Sequence, residues 1–172
     1  MRLRLYADED GWLTEALETD PEVMAHLGGA MPREQIPAIH ERRAKGTAEE
    51  GGFYVIIPDE ESGAVGTVGI WTTQWDGETV HETGWMLLPA FQGRGIASRA
   101  LAMVLDEAKA EGTVDAVHAW PSASNPGSNA LCRKFGFELL GECDVAYAGP
   151  IHANHWRLDM TTYQPGSVVS IR

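Results

Sequence analysis

The stretch Trp85-Met86-Leu87-Leu88-Pro89-Ala90-Phe91-Gln92-Gly93-Arg94-Gly95-Ile96-Ala97 constrains this chain more than any other. An apolar strand is expected to end at Leu88, because Pro89 has no N–H to offer a sheet ladder. Gly93 and Gly95 then open a long helix. Ile96, Ala97, Ala100, Leu101, Val104, Leu105 and Ala108 recur along one face of it, and Gly112 closes it. The first N–H groups of such a helix have no intrahelical partner. With the helix dipole they form an anion site suited to a pyrophosphate, and glycine lets the backbone approach a ligand closely. Arg94 and Arg99 add positive charge, with no acidic residue between Gln92 and Arg99. The spacing matches neither a dinucleotide-binding fingerprint nor a P-loop. Taken alone, the glycines fit an ordinary strand-to-helix turn equally well.

Around this turn the chain alternates strand and helix signals. Residues 2–6 read as a short strand. Asp10 precedes a helical pattern carried by Trp12, Leu13, Ala16 and Leu17, and a second helix follows Pro32 with Ile36, Ile39 and Ala44 until Gly46 or Gly51-Gly52. Phe53–Ile57, 65–71 and 80–88 read as strands, separated by turn signals at 58–63 and Asp76-Gly77. After the long helix come a strand at 114–120, a loop at 121–127, a short helix at 128–135, and closing strands at 137–145 and 155–160. Hairpins mixed with one β-α-β crossover predict an α+β fold with a mixed sheet. A single domain over 1–160 and a polar tail over 161–172 are expected.

Composition narrows the function classes. The 172 residues carry 13 Lys plus Arg against 25 Asp plus Glu, a net charge of −12. That balance argues against nucleic acid as a direct partner and favours a cationic one. Cys132 and Cys143 are the only cysteines, too few for a disulfide scaffold. The N-terminus lacks the apolar core of a signal peptide, and no run approaches a membrane span. A cytoplasmic protein with no membrane association is therefore expected. The six histidines show no metal-ligand spacing, so no metal is expected.

Two motifs carry a resemblance. Gln92, Gly95 and Ala97 match Q/R-x-x-G-x-G/A, the acetyl-CoA signature of the GNAT (Gcn5-related) N-acetyltransferases. Asn125-Pro126-Gly127-Ser128-Asn129-Ala130-Leu131-Cys132-Arg133-Lys134-Phe135-Gly136-Phe137 resembles the second element of that family, N-x-x-S/A followed by K-x-G-F. The resemblance implies a mostly antiparallel sheet, flanked by helices, with a central splayed parallel strand pair formed here by 80–88 and 114–120. Acetyl-CoA would lie in the splay as acyl donor. Its pantetheine arm would pair with backbone groups of Met86, Leu87 and Leu88. Its pyrophosphate would sit on N–H groups of Gln92, Gly93, Arg94, Gly95, Ile96 and Ala97, and Asn125 would bind the pantetheine or initiate the turn.

The resemblance also implies direct attack of an amine on the thioester, with a base for the ammonium and an acid for the leaving thiolate. Many members place a Tyr in the second-motif helix; that position here is Cys132, a departure. The RimJ/RimL-like branch uses the Ser of N-x-x-S instead, which Ser128 matches. Ser128 could equally cap the helix, and Cys132 is the weaker candidate acid. Glu82, on the strand entering the splay, is the leading base, with His81 and His118 behind it. Trp71, Trp75, Trp85 and Trp120 are aromatic candidates for the acceptor side. The acceptor expected first is a protein or peptide α-amine. The alternatives are a small amine, such as a polyamine or amine antibiotic, and a non-catalytic acyl-CoA-binding module. Homodimers are common in the family, so a homodimer is an expectation that rests on resemblance alone.

Overall fold

A computed structural model describes residues 1–46 and 52–166. Among these described residues, seven strands form one sheet in the order β1-β2-β3-β4-β5-β7-β6. They are β1 (Arg2–Leu5), β2 (Phe53–Ile57), β3 (Gly66–Trp75), β4 (Glu78–Leu87), β5 (Ala116–Ala119), β6 (Glu138–Ala146) and β7 (Pro150–Asp159). Four α-helices accompany them: α1 (Gly11–Glu18), α2 (Ile36–Lys45), α3 (Ile96–Glu111) and α4 (Pro126–Lys134). The expected α+β class and element order are those observed. Every neighbouring pair is antiparallel except β4 and β5.

The parallel contact is short. β4 pairs with β3 from Glu78 to Leu87, yet with β5 only at His81↔Val117 and Glu82↔His118. Beyond Glu82 the two strands part, and a cleft opens between them.

The alternation of side chains splits the core into two layers. On one face, Val68, Ile70, Val117, Trp156 and Leu158 pack against Ile96, Ala100, Leu101, Val104 and Leu105 of α3 and Leu131 and Cys132 of α4. On the other, Val55 and Ile57 meet Tyr6 and the α1 residues Leu13 and Leu17. A third group, Met24, Met31, Ile36 and Ile39, anchors α2.

Several boundaries differ from those the pattern predicts. The helix expected from Gly93 starts at Ile96, because Gly93 (φ 69°) and Gly95 (φ 73°) take left-handed conformations outside the helical region. β3 runs on to Trp75, continuing the ladder up to the Asp76-Gly77 turn. The strand expected at 114–120 is limited to 116–119. The last strand begins five residues early, at Pro150, a first-residue position where a missing N–H is tolerated. Helix α4 starts at Pro126, since Asn125 caps it: its Oδ1 accepts from the Ser128 N–H at 3.1 Å. Part of the segment expected as a polar tail over 161–172 is packed. Tyr163 is buried and its hydroxyl donates to Asp106 at 2.7 Å, whereas residues 167–172 and Gly51 lie outside the described residues. Among the described residues, no helix is long and apolar enough to cross a membrane.

Candidate active site

The strand divergence opens into a cleft of about 1200 Å³. One end is built from the turn before α3 and the start of α4, and is lined by Gln92, Gly93, Gly95, Ile96, Ala97, Asn125 and Ser128. The other end is lined by the α1–α2 region, Phe53, Trp71 and Tyr147. Glu82 and Met86 lie on the floor between them.

At the first end the backbone leaves helix N–H groups without helical partners. The first rung of the α3 ladder is Arg99 N–H to Gly95 O at 3.1 Å, so the N–H groups of Ile96, Ala97 and Ser98 have no helical partner. Gln92 plays a different part from the one expected. Its own N–H donates to Pro89 O at 3.1 Å, and its side-chain amide donates to Leu87 O at 3.1 Å, so it ties the turn to the end of β4. Leu88 is also committed: its N–H donates to Val65 O and its carbonyl accepts from Phe91 N–H, both at 2.9 Å. Leu88 and Arg94 are outside the lining, and Arg94 lies over the Phe91 ring at 5.5 Å. Met86 and Leu87 remain on the wall.

Ser128 stands at the start of α4. Asn125 supplies the cap, so the Ser128 hydroxyl has no hydrogen bond among the described residues and stands at the cleft wall. Cys132 is fully buried in the core, outside the lining, and burial pushes its thiol up to about 12. It packs as a small apolar residue and is not placed to protonate anything in the cleft. Sequence reasoning passed over Asn129. Its amide donates to Ser122 O (2.8 Å) and Asn125 O (2.7 Å), and its Oδ1 accepts from Asn154 (2.8 Å) and Trp156 (2.9 Å). This buried, fully partnered side chain locks α4 to β7 and to the loop before it. Its place beside Ser128 in the motif was the available signal.

Glu82 is half-buried on the floor, and its Oε2 accepts from Trp71 Nε1 at 3.1 Å. Burial raises its carboxyl to about 7, opposed by the Trp71 hydrogen bond and by Arg42. Trp71 stacks on Phe53 with centroids 4.7 Å apart, and Arg43 caps that ring at 5.5 Å. Gly84 makes room for the indole: a Cβ there would lie 2.8 Å from Trp71. Trp85 and Trp120 also line the cleft, and Trp75 packs behind Trp120 at 4.9 Å.

The two candidate histidines lie elsewhere. His81 lines a small separate cavity beside α3. His118 Nδ1 is 2.8 Å from His155 Nε2, stacked against Trp120 and outside the cleft lining. Burial, then the neighbouring His155, brings His118 down to about 4.

A parallel pair that splays beside a glycine-built helix start is the arrangement the sequence resemblance implied, and comparison with known proteins decides the family. The acetyltransferase (GNAT) domain family matches residues 1–138.

The chain belongs to the GNAT acetyltransferase family.

Solved GNAT structures share the fold at low identity. Spermidine N-acetyltransferase from Vibrio cholerae, in complex with CoA and spermine, is 14% identical, with a TM-score of 0.76 over 94% of this chain and 96% of that one. An acetyltransferase from Salmonella typhimurium that modifies the N-terminal serine of ribosomal protein L7/L12 is 16% identical, with a TM-score of 0.72 over 91% and 93%. A GNAT-family acetyltransferase from Bacillus anthracis is 19% identical, with a TM-score of 0.73 over 92% and 94%. This GNAT chain is thus an acetyl-CoA-dependent N-acetyltransferase. Its residues fit the donor: unpartnered N–H groups stand at the start of α3, an open strand wall follows, and the cleft exceeds what one small ligand needs. Among the described residues, no group of three metal-ligating side chains comes together.

Proposed function

We propose that this GNAT enzyme acetylates the α-amine of a protein or peptide, as the RimJ/RimL-like character of its second motif implies. The observation that carries this reading is the environment of Glu82, a carboxyl raised to about 7 at the point where β4 and β5 part. An α-amine has a pKa near about 8, whereas a lysine-type amine is near about 10.4. A base of about 7 works near neutral pH, where an α-amine is already partly neutral and a lysine-type amine is almost wholly charged.

Each residue has a role in that chemistry. The N–H groups of Gly93 to Ala97 hold the diphosphate of acetyl-CoA, with Met86 and Leu87 beside the pantetheine and Asn125 shaping the far wall. Glu82 accepts a proton from the incoming ammonium, directly or through one water. The neutral nitrogen attacks the thioester carbonyl carbon, the C–N bond forms, and the C–S bond breaks as the tetrahedral oxyanion collapses. The Ser128 hydroxyl donates a hydrogen bond to the departing sulfur. The nitrogen sheds its second proton to solvent as the amide forms, and the thiolate takes a proton from solvent, so the step balances. The aromatic rings at the acceptor end and the net charge of −12 favour a cationic acceptor.

A second reading, a small polyvalent amine, is supported by the Phe53–Trp71 stack and by Glu22 in the lining. Thiol release measured with acetyl-CoA against unstructured peptides and linear polyamines separates the two. Peptides with a free α-amine are expected to turn over with the higher kcat/KM at neutral pH. Turnover of polyamines alone would overturn the α-amine assignment.

A further inference from the structure

The acceptor end of the cleft is bridged. Helices α1 and α2 cover the β1–β3 side of the sheet, whereas the β6–β7 hairpin belongs to its opposite end. A bond between them therefore crosses the gap above β4 and β5. Several exist. The Tyr147 hydroxyl donates to Glu18 Oε1 at 2.8 Å, and the Ala148 N–H donates to Leu27 O at 3.0 Å. Gly28, at φ 92°, lies backbone against backbone on Gly149: a Cβ on Gly28 would overlap Gly149 N, and one on Gly149 would be 2.8 Å from Gly28 O. The same segment reaches the loop before α4, where His26 Nδ1 is 3.1 Å from Ser124 Oγ. His26, Leu27, Ala146 and Tyr147 all line the cleft.

The bridge is anchored in buried polar chemistry. Glu18 is fully buried, and its Oε1 also takes Arg43 Nη2 at 2.5 Å. Its Oε2 has no hydrogen-bond partner among the described residues. Opening the bridge at Tyr147 removes one of the two donors from a carboxylate that is already under-supplied, which is costly in a buried site. An acceptor that passes beneath the bridge avoids that cost, and one too wide to pass must meet it.

We infer that the bridge is a width filter and that Tyr147 is a specificity-determining residue. It admits an amine carried at the end of a slender, unbranched chain, such as an extended peptide N-terminus or an alkyl diamine. It rejects an amine set directly on a bulky ring scaffold. The inference rests on reading this cleft as the acceptor site.

The test compares kcat/KM for an unstructured peptide and for cadaverine with that for an aminoglycoside, using the full chain. The wild type should favour the better slender acceptor by about 100-fold, the scale that shape discrimination reaches. Tyr147→Phe cuts the tie to Glu18, and Gly149→Ala wedges the backbone contact without touching the Glu18 network. Either variant, folded by circular dichroism, should narrow the ratio about 10-fold with CoA affinity unchanged. A ratio equal to wild type in folded variants would overturn the filter, as would a wild type that acetylates the aminoglycoside as well as the slender amines. Absence of turnover with any amine, in protein that binds CoA, would instead bring down the acceptor-site reading itself.

Discussion

Trp71 donates its indole N–H to Glu82 across the β3–β4 ladder, at 3.1 Å, where the two residues are register partners. This bond holds the carboxylate at the last position where β4 still pairs with β5. It also opposes the desolvation that raises the carboxyl to about 7.

Glu82→Gln should lower kcat/KM by about 100-fold or more, the scale of general-base catalysis, with CoA affinity unchanged. In the wild type, activity should rise through about pH 7 as Glu82 ionises, and the variant should lose that limb. Trp71→Phe removes a hydrogen bond that favours the ionised form, so the limb should move to higher pH. Steady-state pH profiles of the three proteins check all of this.

The same carboxyl links stability to pH. Its folded value is raised above the ordinary 4.5, so between about 4.5 and 7 the folded state binds more protons than the unfolded state. This group's contribution therefore falls as pH rises through that window. Glu82→Gln should melt near the wild-type Tm at pH 5 and above it at pH 8, by calorimetry.

Ser128→Ala should slow acetyl transfer by about 10-fold, the value of one charge-assisted hydrogen bond to the thiolate. Its Tm should barely change, because Asn125 caps the helix. Asn125→Ala should instead cost about 1 kcal/mol of stability. Cys132→Ala should leave kcat within about 2-fold while lowering stability through lost packing. Rates and denaturant midpoints on the three variants distinguish these roles.

Gly95→Asp should weaken CoA binding by about 100-fold or more, because a fixed negative charge would face the phosphates. Among the described residues nothing lies within 4 Å of where a Cβ on residue 95 would stand, so crowding by them is not the cause. The φ of 73° alone costs a non-glycine residue about 1–2 kcal/mol. Gly95→Ala therefore serves as the control in titration calorimetry: it should lose stability and weaken CoA binding less than Gly95→Asp does.

Arg43→Ala should destabilise the protein by about 3–5 kcal/mol, because Glu18 would be left as an uncompensated buried charge. Glu18 and Arg43 are 0% and 3% exposed, so solvent does not relieve the loss. Urea denaturation measures it.

What the amino-acid order determined by itself is local. Backbone dihedral preferences and hydrophobic period placed a long helix between the Gly93–Gly95 turn and Gly112, and the hairpin at Asp76-Gly77, because each depends on residues a few positions apart; that the two motifs meet at one cleft was implied only by the family resemblance. Tertiary structure decided what depends on which elements meet. The ring beside Glu82, the commitment of Leu88 to Val65, the withdrawal of Cys132 into the core and the tie from Tyr147 to Glu18 join positions 11 to 129 apart, or turn on burial, which no short window encodes. An ionisable group's chemistry follows its solvent and its neighbours. The Glu82 carboxyl is raised toward neutrality only once β3, β4 and β5 have folded around it.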